Sequence, residues 1–348
     1  MKRVDFLIIG QGIAGTLLSM ELLSANKSCH ILNKETENTS SNKAGGLYNP
    51  ITGRKMVKTW LADELFESLE SYYSKLEEVL GTRFLYPKPI YRPFFSVEEQ
   101  NDWQGKVSQA DFRPYVKTIH LKSIGIEGVN DPFGGLELSK CGSVDIPTLI
   151  MAARKFFQDK GNYSAEVFDY NKLEEKEDGI SYKDISAKTI IFCEGPDAVD
   201  NPFFKNLPFK LVKGEILDIE TNLPVDRVIN RGVFVLPKNG IFKVGSTYDH
   251  NVIDHEPTEK GRKNISERLE KIYSKQYKIV KHTAGVRPST YDRRPFIGMT
   301  GKYDRVGIFN GFGTKGVSLA PFFATQFVNY LLRQKDIYQE VLLQRVDK

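Results

Sequence analysis

Cysteine is scarce. Cys29, Cys141 and Cys193 are the only three in 348 residues. They are odd in number and widely spaced, with no Cys-x-x-Cys pair, which argues against a disulfide framework or a structural zinc site. Five histidines (His30, His120, His250, His255, His282) show no metal-ligand spacing. No stretch approaches the roughly 20 apolar residues of a membrane span, so no membrane partner is expected. An excess of one charge is missing too: 49 Lys+Arg against 44 Asp+Glu leave a net charge of +5. That is mild for the length; it tolerates an anionic ligand without demanding a nucleic-acid partner. Internal repeats and low-complexity segments are absent. What remains is an ordinary globular composition, 40% hydrophobic and 27% charged, able to bury a core and, at about 150 residues per domain, sized for two domains. The first apolar run, Val4–Ile9, is too short for a signal peptide and leads into glycines rather than a cleavage site. A reduced, cytoplasmic setting is therefore expected.

The apolar pattern predicts elements. Phe6–Ile9 is a short apolar run ending at Gly10, the mark of a buried strand. Leu17, Leu18, Leu22 and Leu23 give 13–25 a helical period, and His30–Leu32 is a second strand. Strand, helix and strand within about 30 residues form a βαβ unit with parallel strands. Residues 36–56, rich in Thr, Ser, Asn and Gly, read as a loop. Helices are predicted over 61–80, 146–159, 260–273 and 317–332, and strands over 189–193, 215–219, 232–236, 241–245 and 306–309. From 83 to 140, short aromatic runs alternate with Pro and Gly and read as short strands. The α/β texture thus occupies 1–82, 141–205 and 285–348, and a β-rich texture occupies 83–140 and 206–284.

Gly10-Gln11-Gly12-Ile13-Ala14-Gly15 is a G-x-G-x-x-G sequence between a predicted strand and a predicted helix, the context that makes it a dinucleotide-binding turn. The first glycine permits the turn, the second lets a pyrophosphate approach the backbone, and the third lets helix pack on strand. The helix N-terminus offers unpaired N–H groups to the phosphates. Where a ribose-binding carboxylate is usual, about 20 residues on, this chain has Asn33, whose amide can still accept and donate without charge. Lys34 reads either as a 2′-phosphate contact or as a surface residue.

Three more stretches follow: Ser40-Ser41-Asn42-Lys43-Ala44-Gly45-Gly46-Leu47, Gly285-Val286-Arg287-Pro288-Ser289-Thr290-Tyr291-Asp292-Arg293-Arg294-Pro295-Phe296-Ile297-Gly298, and Asn310-Gly311-Phe312-Gly313-Thr314-Lys315-Gly316-Val317. With the first glycine turn they resemble the D-amino acid oxidase family of FAD-dependent amine oxidoreductases. That family includes glycine oxidase, sarcosine oxidase and the oxidase domain of the bifunctional tRNA wobble-uridine modification enzyme. The resemblance runs in order along nearly the whole chain, strongest at both ends and thin over 83–140. It implies an α/β fold: a Rossmann-like FAD-binding domain (1–82, 141–205, 285–348) with an inserted antiparallel-sheet, α+β substrate domain (83–140, 206–284).

By this resemblance FAD lies against Gly10, Gly12, Ile13, Ala14, Gly15, Asn33, Lys34, Ser41, Gly45, Gly46, Leu47, Cys193, Gly195 and Arg287. The turn Gly311, Gly313, Thr314, Lys315, Gly316 and Val317 faces the flavin ring, and Val167 bonds the adenine through its backbone. Cys193 itself reads as a buried small hydrophobe. Lys315 reads either as a charge beside the ring or as a solvent-facing lysine, and Arg293 and Arg294 as surface or structural residues. Sarcosine oxidases attach flavin through a cysteine near the final motifs; none follows position 193 here, so FAD is expected to be non-covalent.

The same resemblance places Arg287 on the substrate carboxylate, a task that suits a planar guanidinium fork. Phe234 stands where glycine oxidases carry a substrate-binding tyrosine, and a phenyl ring cannot bond a carboxylate. Tyr48 and Tyr248 read either as replacement hydroxyls or as packing residues, and His282 as a core histidine. The implied reaction is hydride transfer from a small amine or amino acid to flavin N5, imine hydrolysis, and reoxidation by dioxygen or another acceptor. Alternatives are the same chemistry on a modified tRNA wobble base, which is permitted but not favoured by the charge, and a flavin-binding protein without amine turnover.

Overall fold

A computed structural model describes residues 1–53 and 55–346. Its first sheet starts from Lys2–Ile9, flanked in parallel by Cys29–Asn33 and by Ile185–Phe192. Tyr163–Ala165 adds outside the second of these strands, parallel to it, and Val306–Asn310 pairs in parallel with the end of Ile185–Phe192. Phe296–Met299 and the hairpin Leu173–Lys176/Gly179–Tyr182 complete it in antiparallel fashion. From Phe6 to Ile9 the central strand is apolar without alternation because both faces are covered. Phe6 and Ile8 pack into the core shared with the helices Ile13–Ser24, Ile146–Asp159 and Gly316–Leu331. Leu7 and Ile9 pack into an opposite core built with Phe168, Phe192 and Phe204.

The second sheet holds eight strands in the order Lys278–Arg287, Val212–Glu220, Ile241–Gly245, Val233–Lys238, Val228–Arg231, Ile90–Pro93, Gly135–Leu138, Val116–His120. All neighbours are antiparallel except Val228–Arg231 with Ile90–Pro93. Helix Glu259–Glu270 packs on it through Ile265 and Leu269. The result is a mixed α/β fold, with one largely parallel and one largely antiparallel sheet.

Two regions depart from expectation. Within 36–56, read as loop, Thr39 caps a short helix, Ser40–Lys43, by accepting from Asn42 N–H, and Leu47–Tyr48 and Ile51–Thr52 are strands. Within 83–140, read as strands only, Val97–Lys106 is a helix. Ser96 accepts from Glu99 N–H, the Glu99 carboxylate accepts from Phe95 N–H, and Trp103 anchors the helix in the core. Ser96-x-x-Glu99 is a capping-box sequence. It was readable but lay hidden among the aromatic runs.

Candidate active site

The first glycine turn folds as its sequence requires. Gly10 has φ +96°, and a Cβ there would fall 2.6 Å from Cys193 O; a Cβ on Gly15 would collide with Gly10 O. Helix Ile13–Ser24 begins at Gly12 with no side-chain cap. Asn33 and Ser41 line this N-terminus: Gln11 N–H donates to Asn33 Oδ1 at 2.7 Å, and Ile13 N–H donates to Ser41 Oγ at 3.1 Å. Asn33 Nδ2 donates to Tyr163 at 3.2 Å, so both ends of the amide already have protein partners. Ala14 is buried in the helix. Lys34 pairs with Asp197 at 3.3 Å on the surface. Val167 is exposed two residues beyond Ala165, the residue in register with Asn33. Cys193 is buried against the glycine turn, and burial raises its thiol. Gly195 O accepts from Asn310 Nδ2 at 2.9 Å, tying the turn after Phe192 to the turn after Val306–Asn310.

The final glycine turn meets the first. Helix Gly316–Leu331 is also uncapped by a side chain, and a Cβ on Gly316 would lie 3.2 Å from Ile13 Cγ2. Two helix N-termini, remote in sequence, thus open side by side on a cavity of about 1190 Å3. That exceeds the roughly 300–1,000 Å3 of ordinary small-molecule pockets. Gly45, Gly46, Leu47, Gly311, Gly313, Thr314, Lys315 and Val317 line it. A Cβ on Gly45 would lie 2.7 Å from the Phe234 ring, which forms part of the opposite wall. Glycine backbone along a large cavity, with two helix N-termini that their own N-cap residues leave uncapped, fits a long, flat, anionic cofactor.

Arg287 lines the same cavity. Its Nη2 donates to Ser246 Oγ at 2.8 Å and Nη1 to Thr247 O at 3.2 Å, and its guanidinium lies 4.8 Å from the Tyr248 ring centroid. Burial lowers its pKa, yet a guanidinium remains protonated. Among the described residues no carboxylate comes within 4.0 Å of it. Tyr248 is largely exposed and borders the cavity.

Tyr48 is not brought to the site. It is buried, its hydroxyl donates to Glu70 Oε1 at 2.9 Å, and it does not line the cavity. His282 lies outside the lining as well, 2.8 Å from Glu215. Lys315 is not solvent-facing: Nζ donates to Thr59 at 2.9 Å and Thr52 at 3.1 Å, and burial, with Arg293 and Arg294 nearby, lowers its pKa to about 8. Arg294 stacks on Trp60 at 3.9 Å, whereas Arg293 reaches the cavity.

Sequence reasoning missed Lys43, Arg92, Arg231 and Arg268, which also line the cavity. They come from the short helix, the second sheet and the helix packed on it, so only tertiary pairing brings them together. Arg231 forms a bidentate pair with Glu99 at 2.7 and 2.8 Å, and Arg92 approaches the same carboxylate at 3.8 Å.

Residues 5–329 match the family model described as DAO, FAD dependent oxidoreductase. The chain belongs to this family and is an FAD-dependent oxidoreductase. Glycine oxidase from Pseudomonas aeruginosa is 22% identical over 340 residues, covering 90% of this chain and 91% of that protein. The structure of glycine oxidase from Geobacillus kaustophilus superposes with a TM-score of 0.77 at 20% identity, covering 97% of this chain and 96% of that one. Iminodiacetate oxidase from Chelativorans sp. BNC1 gives 0.78 at 18% identity, covering 96% and 97%. Among the described residues no helix is long and apolar enough to cross a membrane, and no group of His, Cys, Asp or Glu is placed to hold a metal.

Proposed function

We propose that the protein oxidises the C–N bond of a small amine or amino acid that carries a carboxylate. The observation that carries this reading is Arg287: a guanidinium facing the cofactor-sized cavity, propped by Ser246 and Thr247 and stacked on Tyr248, with its charge left for a ligand. Similarity to a glycine oxidase and an iminodiacetate oxidase agrees with it.

In this reading the unit built on the first sheet (1–82, 141–205, 285–348) holds FAD, and 83–140 with 206–284 forms most of the substrate side. Gly10, Gly12, Ile13, Ala14, Gly15, Asn33 and Ser41 hold the pyrophosphate and ribose. Gly45, Gly46, Leu47, Gly311, Gly313, Thr314, Lys315, Gly316 and Val317 line the ring, and Val167 meets the adenine. The cofactor is non-covalent: Cys29, Cys141 and Cys193 are buried, and none lines the cavity.

When bound, FAD supplies a hydride acceptor at N5 and passes the electrons to dioxygen or another acceptor. The protein's task is placement. The Arg287 fork grips the carboxylate at two points and so fixes the Cα–H bond beside it. The Phe234 ring closes the wall against Gly45 and keeps water out. Cationic neighbours disfavour a further positive charge, which favours the unprotonated amine that can react. The imine product is then hydrolysed by water to a carbonyl compound and ammonia or a shorter amine.

Arg287→Leu tests this. Turnover of N-methylglycine is expected to fall about a hundredfold or more, mainly through KM, with flavin content retained. Unchanged kcat/KM would refute the assignment.

A further inference from the structure

Every charged side chain that lines the cavity is cationic; no aspartate or glutamate lines it among the described residues. A site for FAD and one carboxylate does not need this. The cations also differ in how they are neutralised. Arg92 and Arg231 share Glu99. Arg268 and Arg287 have no carboxylate within 4.0 Å among the described residues.

These two arginines meet at one residue. Arg268, on helix Glu259–Glu270, donates from Nη2 to Ser246 O at 3.1 Å, while Arg287, on strand Lys278–Arg287, donates from Nη2 to Ser246 Oγ at 2.8 Å. Arg268 is further fixed by Gly232 O at 2.9 Å and by Asn264 O at 3.1 Å. A guanidinium carries five N–H donors, so each of the two keeps at least two after these bonds. Two like charges held by carbonyls and a hydroxyl at the edge of one cavity repel each other and are partly desolvated. Burial lowers the pKa of both. A monoanionic ligand pairs with one and leaves the other unmatched; a dianion pairs with both.

We propose that the substrate is an amine bearing two acidic groups, one gripped by Arg287 and the other by Arg268, which makes Arg268 a specificity-determining residue; this rests on the amine-oxidising reading above. The chemical class is a secondary or primary amine with carboxylates on two arms.

The test uses the flavin-loaded protein and matched probes. Thiodiacetate and (methylthio)acetate, which lack an oxidisable amine, are titrated against the visible flavin spectrum. The dicarboxylate is expected to bind about ten- to a hundredfold tighter, the worth of one added charge-assisted contact. Iminodiacetate and N-methylglycine are then compared as substrates. The ratio of their kcat/KM values is expected to favour iminodiacetate by a similar factor, to collapse toward one in Arg268→Gln, and to recover in part in Arg268→Lys.

Equal binding of the two thioethers, or a ratio untouched by Arg268→Gln, overturns this proposal while N-methylglycine oxidation leaves the parent reading standing. The thioether comparison needs no variant, so it decides even if Arg268→Gln fails to fold. Oxidation of neither amine overturns both readings, and reduction only by modified tRNA would assign the cationic lining to a nucleic acid instead.

Discussion

Arg287 and Gly214 lie on adjacent antiparallel strands, and the guanidinium of the first occupies the space where any larger residue at the second would place its Cβ. The cavity-facing charge thus has its room because Gly214 lacks a side chain. Gly214→Ala is expected to displace the guanidinium and lower kcat/KM for carboxylate amines about a hundredfold, the cost of a misplacement near 1 Å. Flavin content should be unchanged. Steady-state kinetics beside the flavin-to-protein absorbance ratio check this.

Gly15→Ala reverses the usual sign of its substitution class. Glycine to alanine within a helix ordinarily gains about 1 kcal/mol. Here the new Cβ would collide with Gly10 O inside the first glycine turn. The variant is expected to purify with less than about a tenth of the normal flavin, because the turn must open to fit it. Flavin content after purification reads the outcome.

Lys315 gives a pH signature. Its ammonium titrates near about 8 when folded, against an ordinary 10.5. Between those values the unfolded chain binds the extra proton, so folding stability rises with pH across that window, by on the order of 3 kcal/mol in full. Below about pH 8 both states are protonated and the penalty is constant. Lys315→Met lacks this titration. Denaturant unfolding of both proteins at about pH 7 and about pH 10 should show the wild type gaining on the variant. A constant difference would mean that the lysine is not held as described.

Tyr48→Phe should leave kcat/KM within about twofold and lower stability by about 1 kcal/mol, the worth of the hydrogen bond to Glu70. Thermal melts and kinetics with N-methylglycine separate the two effects. A large loss of turnover would return Tyr48 to the site.

The sequence was most legible where backbone geometry leaves no choice. Gly10 and Gly15 are read correctly because only glycine fits beside Cys193 O and Gly10 O. The apolar run at Phe6–Ile9 gives its strand away because both faces are buried. Side-chain direction was not legible. Tyr48 and Tyr248 offered the same hydroxyl, yet Tyr48 turns into the core against Glu70 while Tyr248 lies under Arg287. Lys315 admitted two readings, and it is the threonines of a distant hairpin, Thr52 and Thr59, that bury it. Arg268 left no local trace of its place at the cavity, because Ser246, where it meets Arg287, comes from a different element.

The central claim is that amine chemistry takes place on FAD in the cavity lined by Ile13 of the first glycine turn and by Gly311–Val317 of the last. Mixing the flavin-loaded protein with N-methylglycine or iminodiacetate under anaerobic conditions, with the visible spectrum recorded, tests it most directly. The account predicts that the oxidised flavin band bleaches, with a carbonyl compound formed in equal amount, and returns when oxygen or an artificial acceptor is added. A fully loaded, folded protein whose spectrum neither amine reduces would contradict it.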